Sequence, residues 1–275
     1  MMEENWEKNG ARHLLEYDRS VPLDVTVADR SSDATSRVQD IEFTGGGRRV
    51  KAFRVDPLFT LPTGRAVFLH PAPGDRSSFM EDARSLAARG VTSLLLNAPW
   101  ADPGFGTRVG SMSVREYRDM VIGSAVDVRR SADLLTMGQP NPGVGFVGHS
   151  FGAMVGGMLS AVDGRFRNMV LMAGPPRFSD VARANLPQSD KSVIEAYREA
   201  MAPIDPLGQV RSAGNVSFLF QLGLEDRFIP RSGFVELFEA AAGPKDLIWY
   251  EADHYGLNEA GRSDRIEWLD ARVHV

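Results

Sequence analysis

Gly148-His149-Ser150-Phe151-Gly152 sets a serine between two glycines. A hydroxyl attacks a carbonyl only when it is exposed on a sharp turn, deprotonated by a neighbour and faced by donors for the charge that develops. Glycine on both flanks removes the side chains that would collide in such a turn. The five-residue pattern recurs by chance, so its context decides. It follows an apolar run, Val144-Gly145-Phe146-Val147, and opens a helical stretch from Ala153 to Leu159. A strand-to-helix turn at Ser150 would aim the amide of Phe151 and the helix N-terminus at an oxyanion.

The serine needs a base and the base needs an orienting carboxylate. The five histidines are His13, His70, His149, His254 and His274. His254 lies just beyond the apolar run Leu247–Tyr250, in the loop Glu251-Ala252-Asp253-His254-Tyr255-Gly256. His13 falls in a polar leader, His149 within the turn itself, and His274 at an end expected to fray. Asp226 is the candidate acid, in Gly223-Leu224-Glu225-Asp226-Arg227-Phe228-Ile229-Pro230 after the run Val216–Leu222. Glu225 and Asp253 compete for the role. The order serine, acid, histidine is the one a strand-loop-helix architecture of this kind uses.

A second oxyanion donor belongs after the run Ala66–Leu69, in His70-Pro71-Ala72-Pro73-Gly74-Asp75. Neither proline has an N–H, which leaves the amide of Ala72 to pair with that of Phe151. The alternative is a rigid turn without a catalytic part.

These loops must be held by a scaffold, and the hydrophobic pattern describes one. Apolar runs at Ala66–Leu69, Val91–Leu96, Val144–Val147, Met169–Met172, Val216–Leu222 and Leu247–Tyr250 alternate with amphipathic stretches at Phe79–Arg89, Val114–Leu135, Phe151–Val162, Ser232–Ala242 and Glu259–Arg272. That alternation predicts an α/β fold with a mostly parallel central sheet and helices on both faces. Val38–Phe43 and Arg48–Val55, joined through Thr44-Gly45-Gly46-Gly47, predict an antiparallel N-terminal hairpin. Its Gln39–Val55 portion offers an exposed edge for pairing.

The chain reads as one domain over 1–275. Residues 1–37 form an extension, with Trp6, Leu14, Leu15 and Tyr17 on one helix face and Asp29–Ser36 as a loop. Residues 175–214 are a small lid insertion, with a helix at Lys191–Met201 bounded by Pro187 and Pro203. Asn97–Gly106 is a long loop beside the expected site.

The composition is that of an ordinary globular protein: 43% hydrophobic and 24% charged over 275 residues. A net charge of −5 without a Lys/Arg run argues against a nucleic-acid partner. With no cysteine, a cysteine nucleophile, a cysteine-held metal and a disulfide framework are excluded. Met1 to Trp6 is acidic and polar rather than a basic-then-apolar leader, and no run approaches a membrane span. A cytoplasmic location with no membrane partner is the expectation; the oligomeric state is open.

Together Ser150, Asp226, His254 and the His70–Gly74 loop resemble the α/β-hydrolase superfamily, closest to its serine-esterase and dienelactone-hydrolase-like branches, over roughly Val38 to Val273. Where that superfamily commonly has His-Gly-Gly-Pro-Gly, this chain has Pro71 and Ala72. The resemblance implies an acyl-enzyme on Ser150, hydrolysis of an ester or related acyl bond of a small molecule, and no metal or organic cofactor. Acyl transfer, thioester cleavage and peptide cleavage would use the same residues, and a hydrolase-like fold kept as a binding module is the rival from another class. Phe79, Met80, Trp100, Phe105, Phe178, Phe228 and Tyr255 are candidate pocket walls; aromatics at strand ends also simply cover cores.

Overall fold

The computed structural model describes residues 10–139, 143–185 and 191–274. Nine strands form one sheet: β1 (Thr26–Ser32), β2 (Ser36–Thr44), β3 (Arg49–Pro57), β4 (Gly64–Leu69), β5 (Val91–Leu96), β6 (Val144–His149), β7 (Phe166–Met172), β8 (Ser217–Gly223) and β9 (Lys245–Tyr250). Their order is β1-β2-β3-β5-β4-β6-β7-β8-β9. β1, β2 and β3 run antiparallel and β3 joins β5 antiparallel; every pair from β5 to β9 is parallel. Strands buried on both faces need apolar residues at every position rather than alternation. β4, β5 and β6 are buried along their whole lengths, as their continuous apolar runs require.

Two sets of helices cover the sheet. Met80–Ala87 packs on β5 and against Arg262–Val273, which lies over β4, β6 and β7. Val114–Leu135 touches β4 and β5 and packs against Phe151–Leu159, which in turn contacts Pro206–Arg211. Val114–Leu135 starts where it does because Ser113 and Glu116 cap each other: the Ser113 hydroxyl accepts the Glu116 amide at 3.2 Å and Glu116 accepts the Ser113 amide at 2.8 Å.

Five expectations need correction. Asp29–Ser36 is not one loop; Asp29–Ser32 belongs to β1, paired with β2 from Thr26↔Glu42 to Ser32↔Arg37. Ser36 opens β2, and only the three residues between them connect the strands. All seven β1 residues are exposed, so no hydrophobic alternation marks the strand. Consequently the Gln39–Val55 hairpin has no free edge, because β1 covers β2 and β5 covers β3; the open edge is β1 itself, charged at Asp29 and Arg30, which suits an edge that avoids further pairing. Asn97–Gly106 is not one loop but contains a 3-10 turn, Pro99–Ala101, and the start of a helix, Phe105–Val109. His274 does not fray: it bridges Gly64, and its ring nitrogens meet Thr63 Oγ1 at 2.7 Å and Asp270 Oδ1 at 2.8 Å. The stretch Glu259–Arg272 is also broken at Gly261 into Leu257–Ala260 and Arg262–Val273.

Within 175–214 the described part holds helices Phe178–Asn185, Lys191–Met201 and Pro206–Arg211 with a 3-10 turn at Ala202–Ile204. Leu15 is buried and the Tyr17 hydroxyl donates to Asp133 at 2.8 Å, so the leader docks on the body. Trp6 and Pro187 lie outside the described residues.

Candidate active site

β6 ends at His149, and the chain reverses at Ser150 into the helix Phe151–Leu159. Ser150 has φ 54° and ψ −114°, one of three positive-φ non-glycine residues among those described. Such a backbone costs on the order of 1–3 kcal/mol and persists only where the surroundings impose it. Here they do. Ser150 N donates to Met172 O at 2.7 Å and Met154 N donates to Ser150 O at 3.1 Å. The flanking glycines are obligatory: a Cβ on Gly148 would stand 2.4 Å from Gly152 O, and one on Gly152 only 2.1 Å from Leu69 O. The latter contact brings the turn against the end of β4, where the His70–Gly74 loop begins.

That loop is pinned by its histidine. His70 is buried, its Nε2 accepts the Ala98 amide at 3.1 Å, and its Nδ1 lies 2.7 Å from Pro71 O. Accepting at Nε2 fixes the neutral tautomer with Nδ1–H donating to Pro71 O. Burial lowers the His70 pKa to about 4, so the ring stays neutral through ordinary pH. The Trp100 indole N–H donates to Pro71 O at 3.1 Å and tightens the same turn. Ala72 therefore sits in a loop held from two sides next to the elbow. The Ala72–Pro73 peptide is cis.

Asp226 and His254 come from the loops after β8 and β9. His254 Nδ1 is 2.7 Å from Asp226 Oδ2, and both side chains are almost wholly buried. The other carboxylate oxygen accepts the amides of Phe228 at 2.8 Å and Ile229 at 3.0 Å. Burial alone would raise the Asp226 pKa; the bond to His254 and those amides outweigh it, and the group is held below the ordinary carboxylate value. With Nδ1–H given to the carboxylate, Nε2 keeps its lone pair. The two loops approach closely because a Cβ on Gly223 would stand 2.2 Å from Ala252 O. Of the competing acids, Glu225 is exposed, and Asp253 is exposed with Oδ1 accepting the amides of Tyr255 and Gly256, so it shapes the histidine loop.

Three rings enclose the His254 imidazole: His149 at 4.9 Å, Phe228 at 5.2 Å and Tyr255 at 5.2 Å between centroids. Phe228 and Tyr255 are 63% and 45% exposed, which leaves this side open to solvent. The other side is closed. The Phe151 ring packs against Trp100 at 4.5 Å and Phe178 at 5.8 Å. Trp100, Phe105 and Phe178 are buried, and Met80 is half-buried. Phe79 lies deeper; its ring meets Phe68 of β4 at 5.4 Å, and it serves the core. Sequence reasoning did not single out Tyr117 and Tyr197, whose rings extend the Phe151 cluster; Tyr117 follows the cap signal Ser113-x-x-Glu116 but nothing local marks it. Two surface clefts, about 270 Å³ beside Arg65 and about 610 Å³ beside Arg130, include none of the candidate residues.

Among the described residues no group of His, Asp and Glu is placed to hold a metal ion, and no helix is long and apolar enough to cross a membrane.

A strand-to-helix turn carrying Ser150, followed in chain order by Asp226 and His254 on adjacent loops of a mostly parallel sheet, defines an α/β-hydrolase architecture. Residues 66–273 match the alpha/beta hydrolase family, and the chain belongs to it. Comparison with curated proteins returns no match. Among solved structures it is similar to acetyl xylan esterase 1 from Thermoanaerobacterium sp., with TM-score 0.74, 17% identity, and coverage of 96% of this chain and 93% of that one. It is also similar to an acetyl xylan esterase from Paenibacillus sp. (TM-score 0.69, 17% identity, 97% and 94% covered). A third is an S-formylglutathione hydrolase from Agrobacterium tumefaciens (TM-score 0.68, 14% identity, 90% and 99% covered). At these identities the likeness is one of fold.

Proposed function

We propose that this chain is a serine esterase that cleaves a small-molecule carboxylic ester through an acyl-enzyme on Ser150. The observation that carries the reading is the Asp226–His254 bond of 2.7 Å together with a serine held at φ 54° on the strand-to-helix turn, whose neighbour His149 has its ring 4.9 Å from that of His254. In this reading Nε2 of His254 takes the Ser150 proton as the hydroxyl adds to the ester carbonyl. Asp226 keeps the imidazole in the required tautomer and offsets its charge once protonated. The amides of Phe151 and Ala72 donate to the oxyanion, each contributing about 3 kcal/mol. His254 then protonates the departing alcohol; in the second half it deprotonates water, which releases the acid and restores Ser150. Atoms balance as ester plus water giving acid plus alcohol, with no metal or cofactor required.

The test is turnover of p-nitrophenyl esters from acetate to decanoate, with fluorophosphonate labelling, by the natural chain and Ser150→Ala. Turnover and labelling that both vanish in the variant are expected. Equal turnover in the variant would overturn the assignment, and a natural chain that neither turns over nor labels would leave a binding module in its place.

A further inference from the structure

The elbow at Ser150, the His70–Gly74 loop, the acid loop and the histidine loop meet at the candidate site, and each contact between them has a visible cause. The elbow meets the His70–Gly74 loop where Gly152 passes Leu69 O, and it meets the histidine loop where His149 lies against His254. The histidine and acid loops join through the Asp226–His254 bond and the close pass of Gly223 and Ala252. The remaining contact is the one between the histidine loop and the His70–Gly74 loop. These two must hold the base and the Ala72 amide at a fixed separation.

Asn258 makes that contact. It lies in the short helix Leu257–Ala260 just after His254, and its Nδ2 donates to Ser78 O at 2.7 Å, across 180 residues of chain. Each end of the bond is tied to the group it would position. On the histidine side, Asp253 Oδ1 accepts the amides of Tyr255 and Gly256. Leu257 N donates to Asp253 O and Asn258 N to Tyr255 O, each at 3.1 Å, so Asp253 to Asn258 is one compact turn carrying His254. On the other side, Ser78 Oγ and Ser78 N both donate to Asp75 O, at 2.8 Å and 3.1 Å. A Cβ on Gly74 would stand 2.8 Å from Pro71 O and 3.3 Å from Ser78 Oγ, so Pro71 to Ser78 is folded on itself with Ala72 within it.

The bond has one sense. Ser78 O only accepts, so the amide nitrogen of Asn258 must face it. Asn258 Oδ1 is thereby left buried without a partner. For stability alone the exchange is poor, because one hydrogen bond contributes no more than a buried unpaired acceptor costs. Nor is the side chain needed to anchor its own main chain, since Arg265 donates to Asn258 O. Resting on the esterase reading above, we propose that Asn258 is a positioning residue. Through Ser78 it sets where the Ala72 amide stands relative to His254, so that the oxyanion donor and the proton acceptor meet the same carbonyl. Asn258 touches neither substrate nor the reacting atoms. An oxyanion donor acts only when aimed at the place where charge develops, and losing one lowers kcat by about 10²- to 10³-fold.

The experiment uses two variants. Asn258→Asp keeps the shape and puts an oxygen where the donor was; Asn258→Leu removes the donor without adding charge. If one folds poorly, the other decides. Both are assayed well below their melting temperatures, with active sites counted by fluorophosphonate labelling. The readouts are kcat and KM on p-nitrophenyl acetate, the pH dependence of kcat/KM, and inhibition by a trifluoromethyl ketone, whose adduct with Ser150 carries the oxyanion. In both variants kcat per labelled site is expected to fall about tenfold or more, as for a displaced donor, with KM within about threefold. The ketone should bind more weakly by the factor lost in kcat/KM. The acid limb of the pH profile should stay in place in Asn258→Leu, because the Asp226–His254 bond is untouched. A purely structural role would lower the melting temperature and the number of labelled sites while leaving kcat per site and ketone binding as they are. That result, a change confined to KM, or a shifted acid limb in Asn258→Leu would each overturn the proposal. Failure of the esterase reading looks different, since the natural chain would then neither turn over the ester nor label.

Discussion

The imidazole of His149 lies against that of His254, with centroids 4.9 Å apart and planes tilted by 42°. Neither nitrogen of His149 makes a well-formed hydrogen bond; the backbone of His254 is the polar group near them. Burial, reinforced by the charges of His254 and Arg265, lowers its pKa to about 3, so the ring is neutral whenever the enzyme works. In the proposed mechanism His254 becomes cationic while facing a neutral π system, an attraction worth up to about 2 kcal/mol when desolvated. His149→Phe keeps the ring, removes two unsatisfied nitrogens and should retain kcat while holding or raising the melting temperature. His149→Ala should lower kcat by roughly tenfold with little change in KM. Initial rates on p-nitrophenyl acetate decide it, and an alanine variant with natural kcat would remove this ring from the mechanism.

Much of this arrangement is legible in the sequence because its causes are local. Val91–Leu96 and Val114–Leu135 fall where their apolar runs and periodicity put them. Ser150 follows its strand directly, and Asp226 and His254 lie three and four residues past theirs, which is what makes them candidates from chain order. β1 was not legible, since a strand exposed at every position has no pattern to read. Nor was the Asp82–Arg265 pair, whose partners are separated by 183 residues and meet only because two helices cover the same face. Asn258 looks like any polar residue of a short helix; only its bond to Ser78, 180 residues away, distinguishes it.

Asp226 separates the positioning of His254 from the shape of its loop. Asp226→Asn keeps an oxygen for the Phe228 and Ile229 amides, so the turn should survive. What changes is the tautomer of His254, since an amide N–H facing Nδ1 favours the form with Nε2 protonated. A loss of about 10⁴-fold in kcat is expected, with a residue of activity from the oxyanion amides. Glu225→Gln, altering an exposed neighbour, should change kcat by less than about threefold on surface-charge grounds. A Glu225 effect as large as that of Asp226 would mean the wrong acid has been identified.

Asp82 and Arg265 are both buried and joined Oδ1 to Nε, with Arg262 3.4 Å from the other oxygen. Arg265 also donates to Asn258 O, and Asn258 Nδ2 to Ser78 O at 2.7 Å, tying the histidine loop to the helix Met80–Ala87. Removing the carboxylate alone leaves a buried cation without its partner. Asp82→Ala should therefore cost roughly 3–5 kcal/mol in denaturant unfolding. The double replacement Asp82→Leu with Arg265→Met should recover a substantial part of that loss. A double variant as weak as the single one would show that the contacts to Asn258, rather than the stranded charge, hold the helices together.

Stability should fall on acidification, and the sign follows from the two buried histidines. His70 and His149 have folded pKa values of about 4 and about 3 against an ordinary 6.5. Between those values the unfolded chain binds protons that the folded chain refuses, so stability rises with pH across that window. The contribution is complete above about 6.5 and is lost progressively down to about 3, on the order of a few kcal/mol for the pair. Asp205 opposes it: with its carboxyl raised to about 7 by burial, the folded chain holds a proton the unfolded chain has released, which destabilises as pH rises from about 4 to 7. Asp127 and Asp180 are raised by burial as well and oppose in the same sense. Asp133, Asp163 and Asp226, held below the ordinary carboxylate value, act with the histidines as the pH falls further. The melting temperature should therefore drop between pH 6.5 and 3. His149→Phe should flatten that drop and Asp205→Asn should steepen it. If His149→Phe leaves the slope unchanged, the ring is protonated in the folded state and cannot be the neutral face presented to His254.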